Sequence, residues 1–594
     1  MNNRYKYTPY NKMVKYSLSV LLLAFSSFYV KAQSVSVNDL KQYADKITAA
    51  PLYKLSGSLN SNLIYTAGTN LGVNTPFIWA LNGNLDVTIL DKIKVPVSLN
   101  LSSAGIGYRL PQSPSRIALR PVYKWVKGYL GTNNMSFSPY TLNGHVFSGA
   151  GIELEPPASH LKISAMYGRL QKAVEYDSTN TYFKSATYER YGYGTKLIYE
   201  QKKYDVGLVL FGAKDTYKSL LFKPDSLGIR PQQNFIVSYL VTLRPTKGIL
   251  VNGEFATSFF TSDTRTGNIP QGNVDKLVNY FYNYKESTRK NNAFKIQVGY
   301  NIKKTILGIM IERIAPGYQS MGSYFINNDL ENVAFNFSHV FLNNKLTIAG
   351  NMGTQQDNLK KNKSSTSNRF LGSLNVNYLL NENIYTSFNY TSFKSFMYVQ
   401  PVFQSIAVLN QSQFQNLDTL NFKQVSDNAN YYLNYKFKTS ASSTRAISFN
   451  INYLNTYNLQ TNNAVSTLNL ATKYYNSSLT YQYTISNIGL NLNAVYNYNL
   501  SVQTGNNNSR THGPTIAASS SVLNKKLKLG LSLTYNNTLL EQNNSQINTV
   551  INRINADYKI KKSSIRFDFL MQHRTAKGVN SANSMGNLSY NLNF

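Results

Sequence analysis

From about Tyr53 to the last residue, apolar side chains alternate with small or polar ones, a period of two that restricts the chain to strands whose faces meet different surroundings. Leu527, Leu529, Leu531, Leu533 and Tyr535 make one apolar face, and Lys528, Gly530, Ser532, Thr534 and Asn536 make the other. Leu490, Leu492, Ala494, Tyr496, Tyr498 and Leu500 likewise alternate with Asn491, Asn493, Asn497 and Asn499. Ile565, Phe567, Phe569 and Met571 face away from Arg566, Asp568 and Gln572. The phase slips at Ser486-Asn487, which reads as a bulge within one long strand.

A soluble sandwich also alternates, so the connections decide. Short polar turns occur at 201–203, 246–248, 303–304, 343–345, 381–383, 524–526 and 561–563. Between them lie longer Asn/Ser/Gln-rich stretches at 214–233, 262–292, 314–331, 357–368, 398–428, 502–513 and 576–583. Tight turns at one rim and long loops at the other are the pattern of a membrane barrel, where no backbone polar group stays unpaired in lipid and the sheet must close. The expected fold is all-β: a transmembrane antiparallel β-barrel of about 24 to 26 strands over residues 53–594, with no large plug domain. With both ends in the periplasm the number is even. Residues 104–145, interrupted by Pro111, Pro114, Pro121 and Pro139, are where a strand is missed or part of the chain turns into the lumen.

Arg4, Lys6, Lys12 and Lys15, an apolar run from Leu18 to Tyr29, and Val30-Lys31-Ala32-Gln33 read as a signal peptide, residues 1–32, cleaved after Ala32. Residues 33–52 are then a short periplasmic segment, in which 38–47 fit a helix capped by Asn38. The chain has 46 Tyr, 30 Phe and no Cys, which excludes a small disulfide-stapled exported module. Its formal charge is +33, and loss of the leader, which carries five Lys or Arg and no acid, still leaves about +28. Because Lys and Arg are dispersed over an exported chain and form no stripe, nucleic acid is not an expected partner.

Leu588, Tyr590, Leu592 and Phe594 alternate with Asn587, Ser589, Asn591 and Asn593, and this strand resembles the terminal β-signal of outer-membrane proteins. The resemblance implies recognition by the barrel-assembly machinery and contact with outer-membrane lipid and lipopolysaccharide. It also requires the last strand to join the first, near Tyr53 to Tyr65. A second stretch comprises Tyr123-Lys124-Trp125, Met135 to His145, Gly149 to Leu154 and Ala165 to Leu170. It is similar to a box in large uncharacterised outer-membrane barrels of Bacteroidota, which implies a location and a fold but no catalytic residue. Within it Trp125, Ser138, Pro139, Tyr140, His145 and Glu153 are candidates for a constriction or a docking site.

The five histidines give little support to a membrane-embedded hydrolase, since His145 and Ser148 are three apart and so lie on opposite faces of a strand. His339 continues the apolar face of Phe335, Phe337 and Phe341, and His160, His512 and His573 lack an acid partner in sequence. Tyr191-Gly192-Tyr193-Gly194 lacks the glycine and helix of a phosphate loop, and Asp263, Asp275 and Asp329 have no calcium-loop spacing. No enzyme, cofactor or metal is expected. The inward positions are mainly Asn, Ser, Thr and Gly, with candidate lumen-lining charges at Lys436, Lys438, Lys528, Arg553, Lys559 and Arg566 and acids at Asp557 and Asp568. A channel or passive transporter with a polar, net basic lumen is the leading expectation, with loops 262–292 and 398–428 setting access. The alternative is an interaction or scaffold barrel in an outer-membrane assembly, partnered by a surface lipoprotein or another envelope protein.

Overall fold

The computed structural model describes residues 53–68, 77–103, 115–177, 186–222, 224–269, 278, 281–361, 368–397, 422–437, 440, 442–459, 471–503 and 507–594. The expected leader and segment 33–52, Lys438, and residues 398–421 of the expected access loop lie outside the described residues.

The strands in chain order begin with β1 (Tyr53–Gly68), β2 (Phe77–Ile89), β3 (Ile93–Ser102), β4 (Arg116–Leu119), β5 (Val122–Tyr123), β6 (Val126–Ser136), β7 (Asn143–Leu154), β8 (Leu161–Gln171) and β9 (Glu189–Glu200). They continue with β10 (Tyr204–Thr216), β11 (Gln233–Leu243), β12 (Ile249–Thr261), β13 (Thr288–Ile302), β14 (Thr305–Ile314), β15 (Leu330–Phe341), β16 (Leu346–Asp357), β17 (Asn368–Leu379) and β18 (Ile384–Met397). The last are β19 (Phe422–Lys436), β20 (Ser443–Leu459), β21 (Ala471–Ile485), β22 (Leu490–Gln503), β23 (Ser509–Val522), β24 (Leu527–Leu540), β25 (Ser545–Ile560), β26 (Ser563–Ala576) and β27 (Val579–Asn593).

β4 and β5 both pair with β3 and with β6, so they are halves of one stave broken at Pro121, which has no N–H for the ladder. The 27 segments therefore make a 26-stave antiparallel barrel. Closure is direct: β1 pairs with β27 from Ser58↔Asn593 to Gly68↔Asn583. Gly57 N donates to Phe594 O at 3.0 Å, and Phe594 N to Gly57 O at 3.1 Å. Two compact units are distinguished. The described part of the first is Tyr53, Lys54 and Ile89–Asp91, held by a Lys54 Nζ to Asp91 Oδ1 ion pair of 2.8 Å; the second, 55–88 and 92–594, is the barrel.

The faces follow the alternation. Leu529, Leu531, Leu533 and Tyr535 are all exposed on the outside of β24, as are Leu479, Tyr481, Tyr496 and Tyr498 on β21 and β22. A continuous apolar outer face is what a soluble monomer avoids and a bilayer requires. Three expectations need correction. Ser486-Asn487 is a turn and not a bulge: β21 ends at Ile485, Gly489 N bonds Ser486 O at 3.3 Å, and Gly489 takes φ +59°. The expected loop at 576–583 is a two-residue hairpin at Lys577-Gly578, both at positive φ, as the right-handed strand twist favours. The expected loops 262–292, 398–428 and 502–513 overrun, because β13, β19 and β23 start at Thr288, Phe422 and Ser509.

One loop covers the outer wall. Val278 and Tyr282, between β12 and β13, pack on Phe235, Val237 and Phe259, which alternate with the inward-facing residues of β11 and β12. Phe281 stacks on Phe235 with ring centroids 5.9 Å apart.

Candidate functional site

Among the described residues two connections turn into the barrel: residues 137–142 between β6 and β7, and 315–329 between β14 and β15. Phe137, Tyr140, Leu142, Tyr318 and Met321 are buried in a cluster with inward side chains of the wall, among them Phe147, Met166, Val209, Phe211, Ile236 and Ala256. The wall makes room. A Cβ on Gly194 would lie 2.8 Å from Phe137 Cε2, and one on Gly168 2.8 Å from Phe147 Cδ2. The pattern Tyr191-Gly192-Tyr193-Gly194 is thereby explained, since Gly194 leaves room for Phe137 of the wedge, Gly192 for the buried Leu170 of β8, and Tyr193 is exposed on the other face.

An inward-folded segment must find partners for its backbone. Asn143 N donates to Gly322 O at 2.9 Å and Ser320 Oγ to Thr141 O at 2.6 Å, joining the two connections. Wall residues hold the rest: Asn234 Oδ1 accepts from Met321 N at 3.1 Å, Ser258 Oγ donates to Gln319 O at 2.6 Å, and Asn291 Nδ2 to Gly317 O at 3.0 Å.

Phenols and acids form the inner edge. Tyr318 Oη donates to Tyr140 O at 2.8 Å, Tyr140 Oη to Glu312 Oε1 at 2.6 Å, Asn332 Nδ2 to Glu312 Oε2 at 2.9 Å, and Gln355 Nε2 to Asn332 Oδ1 at 2.8 Å. Burial pushes both phenols up, that of Tyr140 further through the neighbouring Glu312 carboxylate, so both remain protonated donors. Pro139 is exposed at the wedge tip, beside a recess of about 270 Å³ lined also by Leu240, Asn252, Glu254, Lys295 and Gln297.

The expected constriction residues divide. Ser138, Tyr140 and His145 are buried in or against the wedge: Ser138 Oγ and Thr141 Oγ1 are 2.8 Å apart, and the His145 ring stacks on Tyr324 at 4.2 Å. Their side chains therefore face the barrel interior. Pro139 lines the recess. Glu153 lies further along β7, accepting from Tyr129 Oη at 2.9 Å with Lys127 Nζ at 3.7 Å, and Trp125 is exposed in the turn before β6. Neither is brought to the wedge.

The charges expected to line the lumen gather on other staves. Arg553 is bidentate to Asp568 at 2.8 Å through both nitrogens, with Arg566 Nη2 at 3.3 Å from the same carboxylate. Lys528, Asp557 and Arg566 are register partners across β24, β25 and β26, Lys559 faces Ser564, and Lys436 faces Ala446. Sequence reasoning missed Glu254 and Glu312, and read 314–331 as a long loop without its inward course; Ala315-Pro316-Gly317 was the available signal, a turn at the very start of that loop. Among the described residues no three His, Asp or Glu side chains converge as metal ligands would.

No protein-family model matches the chain, and no curated protein matches it. Among solved structures, the P pilus usher (PapC) translocation pore is similar at TM-score 0.34 and 9% identity over 91% of this chain and 99% of that one. The FrpB iron transporter from Neisseria meningitidis gives TM-score 0.34 and 11% identity over 93% and 83%. OccAB3 of Acinetobacter baumannii gives 0.29 and 10% over 66% and 99%. At these TM-scores no functional argument rests on the likeness.

Proposed function

We propose that the chain is an outer-membrane channel or passive transporter whose path runs beside the wedge. The carrying observation is the division of the inner wall: the contacts that hold the wedge run from β6 to β16, and the inner faces of β17–β22 carry amide and hydroxyl side chains. Closing 26 staves spaced about 4.8 Å apart at 35–45° tilt gives a backbone ring roughly 50 Å across, too wide for side chains alone to fill. The apolar outer face and the absence of a sheet edge support a bilayer location.

The charges expected of a net basic lumen lie near the short-turn rim, where Lys436, Lys528, Lys559 and Arg566 outnumber Asp557 and Asp568. The arrangement favours anions modestly, since Asp568 is already paired with Arg553 and Arg566. Single-channel recording of the purified barrel in planar bilayers tests the reading. Discrete conductance steps with a reversal potential displaced toward anions in a salt gradient are expected; a folded barrel giving no steps overturns it.

A further inference from the structure

Six asparagines stand in one register row on the inner wall. Asn375 faces Asn389, Asn389 faces Asn430, Asn430 faces Asn452, Asn452 faces Asn476, and Asn476 faces Asn499, one from each of β17 to β22. All six are half-buried, so each keeps part of its amide toward the lumen. The row has neighbours of the same kind: on its short-turn side run Asn377, Ser387, Tyr432, Asn450, Ser478 and Asn497, and neither row contains a charge.

A primary amide carries two donors and two acceptor lone pairs. Part of this capacity is used between strands: Asn375 Nδ2 donates to Asn389 Oδ1, Asn430 Nδ2 to Asn450 Oδ1 at 3.3 Å, and Asn452 Nδ2 to Asn428 Oδ1 at 2.8 Å. These bonds fix the amide planes of Asn375, Asn389, Asn430 and Asn452, and the row repeats its amides at about 4.8 Å, the strand spacing. An anion needs a surplus of donors and a cation a surplus of acceptors; the belt offers both in equal number and no net charge. Hydroxyl groups, each donor and acceptor at once, match it. The rings of Tyr385 and Tyr432, with centroids 6.2 Å apart, stand directly below and add an apolar surface of the kind that receives the C–H face of a sugar ring. Since the staves tilt by about 35–45°, the row is a ramp along which a chain of sugars can descend.

We propose that this belt is a binding track for neutral, hydroxyl-rich solutes of the oligosaccharide class. The proposal rests on the channel reading, and two readouts on the same preparation separate them. Maltohexaose is titrated into the detergent-solubilised full-length barrel by calorimetry, and its effect on single-channel current is recorded in parallel. Saturable binding with concentration-dependent current interruptions is expected. The triple substitution Asn389→Ala, Asn430→Ala, Asn452→Ala is expected to weaken binding roughly tenfold or more, from several lost hydrogen bonds, in a barrel that keeps its heat-modifiable migration. If the triple variant does not fold, Asn452→Ala alone is expected to weaken binding measurably.

Conductance without maltohexaose binding overturns the track and leaves the channel standing. Binding without conductance supports the track and overturns the channel. Binding that the substitutions leave unchanged, or that glucose 6-phosphate outcompetes at equal concentration, also overturns the proposal.

Discussion

Replacing Tyr140 by Phe deletes one oxygen from the wedge and leaves its packing in place. The lost contact is the 2.6 Å donation to Glu312 Oε1; Asn332 still serves the other carboxylate oxygen at 2.9 Å, and the Tyr140 carbonyl still accepts from Tyr318 at 2.8 Å. A hydrogen bond to a charged acceptor contributes about 1.5–3 kcal/mol, so the open, undocked population should rise about 10- to 150-fold. Because the chain has no cysteine, a single introduced thiol reports the opening without background. Ser138→Cys is suitable: the site is 6% exposed and reacts with a water-soluble maleimide only when the wedge leaves the wall. The labelling rate of Ser138→Cys/Tyr140→Phe relative to Ser138→Cys alone reads the effect. Tyr140→Ala, which removes a buried ring as well, should go further, a core aromatic truncation costing about 3–5 kcal/mol. An unchanged rate in a barrel that keeps its heat-modifiable migration would show that the Tyr140–Glu312 bond does not hold the wedge.

Gly194→Leu should unseat the wedge through the 2.8 Å clash with Phe137, and the overpacking cost of about 1–3 kcal/mol should speed Ser138→Cys labelling about 5- to 150-fold. Gly299→Ala, whose new Cβ meets nothing closer than 3.8 Å, is the control and should change nothing. In the loops, hydrogen bonds from Arg265 hold the Asp263 and Asp225 carboxyls below the usual range. Depressed folded pKa values mean that this latch is complete above the unfolded value near 4 and is lost as pH falls through the lower folded values. Pepsin nicking of the loop segments 224–232 and 262–269 should therefore rise steeply below about pH 4 in the parent, while Arg265→Gln should be nicked already at the upper end of pepsin's range and lose that dependence. Arg553→Gln removes one lumen cation and leaves Asp568 with Arg566 at 3.3 Å, so the reversal potential should shift toward cations; a shift toward anions would contradict the assigned lumen face.

The barrel was legible because two of its causes are local. Alternation gives the faces and short polar turns give the reversals, so the closing strand to Phe594 and most staves could be read residue by residue. The Ser486 turn was missed because its flanks, Thr484-Ile485 and Leu490-Asn491, continue the strand pattern on both sides; the reversal is marked by the positive φ at Gly489 and its hydrogen bond to Ser486 O. The asparagine row was half visible. Asn497 and Asn499 were readable as inward residues of one strand, but their alignment with Asn476 and Asn452 depends on the number of residues in each intervening turn. A one-residue error in a turn moves every partner to the opposite face.

The wedge has a signature that alternation alone conceals. A stave between lipid and water reads apolar on one face only, as Leu527 to Tyr535 does. Val206 to Ala213, and Phe235 to Val241 but for Ser238, are apolar at successive positions, the pattern of a strand buried on both sides. In the structure the parts of these segments toward the loops are covered on both sides, Val209, Phe211 and Ile236 by the wedge and Phe235 and Val237 by the loop that returns over the outer wall, while Val206, Tyr239 and Val241 stay exposed on the outside. The covered stretch is the part of the wall against which the lumen is filled, and the Asn-rich staves opposite in character are the part that water must wet. Two-faced apolar runs within an otherwise alternating barrel thus mark filled lumen, and amide-rich inward faces mark the path.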